Sequence, residues 1–240
     1  MASVVSVPNL EVRSLNVSRV SRLENGDRLK RPEFHRRYLA MADVKKAELI
    51  EGIVYMPSPV RIQAHGRPHQ MINTWLGTYW AGTPGTDCGD NTSLLLDLDN
   101  EPQPDACLRV VESLGGTSRV TEGDYLEGPP ELIVEIAGSS ANYDLHQKRA
   151  VYARSGVQEY AVWRTEDGAF DWWELMDGDY VEIASEGDEG TIHSRMFPGL
   201  LLNRKALLEG RLSDVLRDLH RAMESPEHEA FRSRLAAAGG

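Results

Sequence analysis

Four positions in this chain carry side chains that could do chemistry where the surrounding pattern calls for something else. Glu135 interrupts the apolar run Leu132-Ile133-Val134-Glu135-Ile136-Ala137, which reads as a strand covered on both faces. Lys148 falls on the helix that follows, on or at the edge of a face shared with Leu145, Val151 and Tyr152, so it is directed at the sheet. Asp105 ends the acidic, two-proline turn Asp99-Asn100-Glu101-Pro102-Gln103-Pro104-Asp105. Pro104 cannot donate to a ladder, so Asp105 marks a sheet edge or strand mouth. Glu48 and Glu51 lie on opposite faces if their strand is regular, so at most one of them enters a site.

Two carboxylates with a lysine beside them suit a hard divalent cation. Mg2+ takes oxygen ligands, keeps several waters and is typically held by one or two carboxylates, while an ammonium orients water or stabilises charge on a phosphate. That is the equipment for metal-assisted phosphodiester hydrolysis. The same residues admit a plainer account, in which Glu135 and Lys148 form a structural ion pair and Asp105 is a turn residue. His65 and His69 flank a helix start at Pro68 and share a face only if that helix begins early. His69 is a candidate accessory residue for moving a proton.

The elements that must position these groups are legible in outline. Pro32 opens a short helix with Phe34, Tyr38 and Met41 facing inward. Residues 48–56 form a strand pair or a strand bent at Gly52, closed by Pro57-Ser58-Pro59. Ile72, Trp75, Leu76 and Tyr79 form the apolar stripe of a second helix. Two strands are expected next, at 91–99 and 107–111, then a polar loop over 115–128 and the strand holding Glu135. Asp144, with Gln147 three residues on, has capping-box spacing, so a helix is predicted from Leu145 to the C′ glycine Gly156. Hairpin turns at Asp167-Gly168 and Asp177-Gly178 follow the strand Glu159 to Trp163, with Trp172 and Trp173 as sheet-packing residues. The chain turns helical after Phe197-Pro198-Gly199-Leu200, and its last nine residues are expected to fray.

The chain has 240 residues, 41% of them hydrophobic, enough for one domain of ordinary size. We divide it into a leader over 1–28, a catalytic-size domain over 29–203 and a helical tail over 204–240. No apolar run reaches the length of a membrane span, and the start MASVVSVPNLEVRS lacks the pattern of a signal peptide, so a cytoplasmic protein with no membrane contact is expected. Cys88 and Cys107 stand far apart without metal-ligand spacing, which suggests neither a disulfide framework nor a zinc site. The net charge of -11, from 37 acids and 26 bases, counts against a broad DNA-gripping surface.

Taken together, Pro104-Asp105, the Glu135 strand, Tyr143-Asp144 with Lys148, Tyr152, Gly156-Val157 and Glu159-Tyr160 resemble the Uma-two family of restriction endonuclease-like proteins, within the PD-(D/E)XK nuclease superfamily. Glu48-Leu49-Ile50-Glu51-Gly52, the histidine before the Ile72 helix and Phe197-Pro198-Gly199-Leu200 fit as well, so the similarity runs from about Pro32 to Leu202. The resemblance implies an α/β (mixed α+β) fold: a mixed central β-sheet flanked by helices, with a β-hairpin extension and a C-terminal helix. It implies Asp105, Glu135 and the backbone carbonyl of Ile136 as ligands of Mg2+ or Mn2+, Lys148 as the catalytic lysine and Glu48 as an additional acid at the metal. The superfamily's usual lysine lies two residues after the glutamate, where this chain has Ala137, and Lys148 on the next helix is its expected replacement. The implied activity is endonucleolytic hydrolysis of nucleic acid, DNA before RNA; a cut in both strands calls for two sites, so a homodimer is expected. The rival from another class is a catalytically silent nuclease fold that binds nucleic acid or protein.

Overall fold

The computed structural model describes residues 20–56, 61–138 and 141–239. Most of the leader, the Pro57-Ser58-Pro59 breaker and Ser139-Ser140 lie outside the described residues. Helix α1 (Arg31–Leu39) carries Pro32 in its first turn and buries Phe34. Strands β1 (Glu48–Ile50) and β2 (Ile53–Tyr55) form an antiparallel hairpin. Its turn is Glu51-Gly52, both left-handed with φ of 52° and 74°, as a tight two-residue hairpin turn requires. The hairpin resolves the ambiguity between the two acids: Glu48 is buried and Glu51 is exposed.

A π-helical turn (Ile62–Gly66) runs directly into α2 (Arg67–Gly82). Strands β3 (Thr86–Asp90), β4 (Leu94–Leu95), β5 (Ala106–Val110), β6 (Arg119–Val120), β7 (Leu126–Glu127) and β8 (Leu132–Ala137) follow. Next come α3 (Ala141–Tyr143), a second π-helical turn (Asp144–Lys148) and α4 (Arg149–Ser155), each continuing the last. The chain then forms β9 (Glu159–Arg164), β10 (Ala169–Met176), β11 (Asp179–Glu182), β12 (Thr191–His193) and β13 (Leu201–Asn203), and ends in α5 (Arg204–Leu208), α6 (Leu212–Met223) and α7 (Pro226–Ala238).

Six strands in the order β11-β10-β9-β8-β5-β3 make the central sheet. Only β8 and β9 run parallel in it, joined by the α3–α4 helix as a crossover, and the other pairs are antiparallel. The sheet is mixed and flanked by helices, as expected, and the β10–β11 hairpin extends one edge. Side chains alternate across β8. Leu132, Val134 and Ile136 enter the core beneath α2, α6 and α7, while Ile133 and Ala137 enter the opposite core with Tyr152, Val157 and Tyr160. Glu135 has the parity of the second set, so period alone aims its carboxylate at the crossover helix.

Several local expectations are corrected. The strand beside β5 is β3, and of residues 91–99 only Leu94–Leu95 is a strand, paired in parallel with β7. The reason lies in Gly89, opposite Cys107, where a Cβ would come within 2.9 Å of Cys107 Sγ and 2.7 Å of Thr92 Oγ1. Glycine lets β3 pass here, and Gly89 between acidic residues masks the strand pattern. Residues 115–128 are not a plain loop but supply β6 and β7 to a small sheet with β4. Asp144 is no N-cap: the chain is already helical from Ala141, and the Asp144 side chain is buried. The stop is as expected, with Gly156 left-handed at φ 86°. The last residues do not fray at Arg232, because α7 reaches Ala238 and seats Phe231 and Leu235 in the main core.

Trp172 packs edge-on against Trp75 at 5.6 Å, and Trp173 stacks on Tyr160 at 5.9 Å, so both serve packing. Cys88 and Cys107 are free and contribute to opposite cores. No described helix is long and apolar enough to cross a membrane.

Glu159, at the start of β9, anchors the turn before β13. It accepts from Ser194 Oγ at 2.9 Å, the Met196 N–H at 2.9 Å, Trp172 Nε1 at 3.1 Å and the Arg195 N–H. Burial pushes its carboxyl up to about 7, from an ordinary value of 4.5, in spite of these donors. A raised acid favours its neutral form, so its contribution to stability is full below the ordinary value and is lost as pH rises through about 7. Between pH 5 and pH 8 this group should remove about 2–3 kcal/mol. Urea unfolding of the wild type and Glu159→Gln at both pH values should show the wild type losing that amount relative to the variant. Equal pH dependence would mean that Glu159 is ionised throughout.

Candidate active site

The last register pair between β5 and β8 is Ala106 with Val134, so one step further Asp105 faces Glu135 across the strand mouth. The two residues are tied by their backbones. The Ile136 N–H donates to Asp105 Oδ2 at 2.9 Å, and the Asp105 N–H points at Glu135 Oε2 at 3.4 Å. In an extended strand the carbonyl of a residue faces the same neighbour as its N–H, so the Ile136 peptide borders the site on its Asp105 side. Pro104, which lacks an N–H, precedes Asp105, and Gln103 donates its N–H to Glu48 Oε1 at 2.8 Å. The acidic turn thus links β1 to β5, bringing Glu48 to the same place.

Lys148 closes this arrangement from the crossover helix. Its Nζ lies 2.8 Å from Glu48 Oε1, 3.0 Å from Glu135 Oε1 and 3.7 Å from Asp144 Oδ1. Tyr152 OH donates to the same Glu135 Oε1 at 2.9 Å, and the Tyr143 ring lies 5.5 Å from the ammonium. All four charged groups are buried, with Lys148 only 3% exposed. Asp144 and Lys148 stand four residues apart across the π-helical turn and share one face of the helix.

Asp105 is held on its other side by residues of different elements. Lys46 Nζ donates to its Oδ1 at 3.0 Å and to Asn91 Oδ1 at 3.1 Å. His65 Nε2 lies 3.2 Å from Asp105 Oδ2, while His69 Nε2 faces the Asp105 carbonyl at 2.7 Å and Asp90 Oδ1 at 2.8 Å. The two nearest neighbours of His69 Nε2 are acceptors, with the Asn73 amide nitrogen farther off at 3.3 Å, and a proton on Nε2 is the arrangement that lets it donate to the Asp105 carbonyl. The two histidines do share a face, their rings 5.4 Å apart, because the π-helical turn starts the helix early at Ile62.

The charges separate the two central carboxyls. Burial would push Asp105 up, but the hydrogen bond from His65 and the charges of Lys46, His65 and Lys148 outweigh it and hold the carboxyl below the usual range. Burial dominates at Glu135 and, with Asp105, Asp144 and Glu48 nearby, pushes it above that range in spite of Lys148. At Lys148 burial opposes the charge, but Glu135, Glu48 and Asp144 keep the ammonium well above its ordinary value.

The structure therefore brings together Glu48, Asp105, Glu135, Ile136 and Lys148, with His69 beside them, and leaves Glu51 on the surface paired with Arg154. Lys46, Asp144 and the pairing role of His65 were not foreseen. A signal for Lys46 existed: it stands two residues before Glu48, and an extended stretch puts such residues on one face.

As a donor set for a hard cation the site fits in chemistry and charge. Glu48, Asp105, Glu135 and Asp144, when ionised, exceed the ammoniums of Lys46 and Lys148 by two charges, or by one when His65 is protonated, a negative excess that a divalent cation would offset. Among the described residues no three His, Cys, Asp or Glu side chains already surround one point. Lys46 and His65 instead occupy the Asp105 oxygens.

No curated protein matches the chain. A solved structure from Anabaena variabilis, described as "a putative nuclease belonging to DUF820", is similar in fold at a TM-score of 0.51 and 10% identity, covering 77% of this chain and 97% of that one. The model of the Uma2 family, whose description is "Putative restriction endonuclease", matches residues 31–205, a span that holds every residue of the buried carboxylate and lysine cluster. The chain belongs to the Uma2 family.

Proposed function

We propose that this chain is a Mg2+- or Mn2+-dependent endonuclease acting on DNA. The observation that carries the reading is the pair Asp105 and Glu135, locked opposite each other at a strand mouth by the Ile136 and Asp105 N–H groups. Asp105, Glu135 and the Ile136 carbonyl would hold the ion, with Glu48 beside them. When bound, the ion would lower the pKa of a coordinated water and stabilise charge growing on the phosphate. In hydrolysis the water oxygen bonds to phosphorus as the bond to the leaving ester oxygen breaks. The water gives up one proton and the leaving oxygen takes one.

The chain's own residues supply position. Lys148 holds the Glu48 and Glu135 carboxylates together against their mutual repulsion, and Tyr152 fixes which oxygen of Glu135 it meets. His69 pins the Asp105 backbone. A cut through both strands calls for two such sites, hence a homodimer, and the cytoplasm is the compartment in which we place it. A second reading, a silent nuclease fold that binds a partner, is favoured by the net charge of -11 and by Lys46 seated on Asp105.

Two measurements decide. Calorimetric titration of Mg2+ and Mn2+ should show one ion bound per chain, with binding abolished in Asp105→Asn and Glu135→Ala. Cleavage of plasmid or single-stranded DNA should disappear in the same variants. An intact protein that binds neither ion, with DNA present or absent, would sink the nuclease reading in favour of the silent one. Separately, Lys148→Met should cost about 3–5 kcal/mol in urea unfolding, because it leaves buried carboxylates uncompensated. Replacing Glu135 and Lys148 together by apolar residues should recover only part of that loss, because Glu48 stays buried without its ammonium, and should abolish metal binding.

A further inference from the structure

Two lysines meet the carboxylates, and they differ in kind. Lys148 has 4% of its side chain exposed and is enclosed by Glu48, Glu135, Asp144 and the Tyr143 ring. Lys46 has 22% of its side chain exposed and comes from the irregular segment before β1. Its ammonium sits between two oxygens, Asp105 Oδ1 at 3.0 Å and Asn91 Oδ1 at 3.1 Å. The other Asp105 oxygen faces inward, to His65 and the Ile136 N–H. Lys46 therefore covers the outer oxygen of the acid that the proposed reading gives to the metal.

We propose that Lys46 is a tethered counter-ion which yields Asp105 Oδ1 to a divalent cation and then contacts the scissile phosphate. The inference rests on the nuclease reading, and it divides the work between the lysines: Lys148 positions carboxylates, and Lys46 meets substrate. Three steps support it. An ammonium between a carboxylate oxygen and an amide oxygen holds a place that a hard divalent ion also favours, since both ligands are oxygen donors. Two cations cannot share Asp105 Oδ1 closely without repulsion, so occupancy by the ion must move Lys46. Once displaced, a lysine on a flexible four-carbon stem still reaches the mouth of the site, where an incoming phosphodiester is the anion that compensates it. Lys148 has no such freedom, because leaving its place would strand buried carboxylates.

The test is calorimetric titration of Mn2+ into the full chain as wild type, Lys46→Met and Lys46→Ala, followed by cleavage of plasmid DNA. Removal of the competing ammonium should tighten Mn2+ binding about tenfold, while cleavage falls at least about a hundredfold. Binding that is unchanged or weaker in the variants, with the wild type still binding Mn2+, overturns the counter-ion role and leaves the nuclease reading standing. Tighter binding with undiminished cleavage overturns the phosphate contact. If neither wild type nor variants bind Mn2+, both the proposal and the nuclease reading fail. A measurement on the wild type alone guards against variants that do not fold. Reductive methylation of Lys46, followed by peptide mass spectrometry, should quicken when Mn2+ is added, and an unchanged rate overturns the displacement.

Discussion

The structure depends on one electrostatic constraint: a carboxylate in the middle of a two-sided strand must be compensated from within the fold. Glu135 stands among Ile133, Ala137, Tyr160 and Val162, where an isolated charge would cost several kcal/mol. Its partner arrives only because β8 is followed by a crossover helix that returns over the same face before β9 pairs in parallel. Lys148 on that helix meets Glu135 and Glu48 at once, so a single ammonium joins the hairpin β1–β2, the sheet and the crossover. Remove the crossover topology and these three elements have no common charge.

The π-helical turns serve the same constraint. Across the wider turn at Asp144–Lys148 both side chains still enter the site, and Tyr152 reaches Glu135 from the α-helix that continues it. At Ile62–Gly66 the same device starts the helix early enough to bring His65 and His69 to Asp105 together. Two π-helical turns flank one buried cluster. π-helical turns are frequent at functional sites.

What the sequence disclosed, and what it hid, follows from the range of the interactions. Glu135 was visible because a charge in a run of β-formers breaks the pattern locally, and Lys148 because helical periodicity aims it at the sheet. The resemblance to a nuclease family joined these to Asp105 and Glu48, which lie far apart in sequence. The strand β3 was hidden because Gly89, with Asp87 and Asp90 close by in sequence, looks like part of a turn, and only the closeness of Thr92 and Cys107 explains the glycine. Asp144 carried the spacing of a helix cap, and nothing local shows that the helix is already under way at Ala141. The C-terminal helix was underestimated because its apolar residues are sparse, and Phe231 and Leu235 matter only through the core they join.

Lys46 is the clearest case of a residue whose role only tertiary structure identifies. One of two adjacent lysines in a short irregular stretch, it carries no motif, and Asn91 and Asp105, its two partners, lie 45 and 59 positions along the chain. Its neighbour Glu48 hints at the shared face, but the hint gains meaning once Gln103 ties the acidic turn to Glu48. The site then reads as two ranks of charge. An inner ammonium is enclosed, and its value lies in holding carboxylates that would otherwise repel. An outer ammonium is partly exposed and bonded to one carboxylate oxygen, so its contact is the one that exchange can break at least cost. Burial, more than identity, separates a lysine that must stay from one that is free to leave.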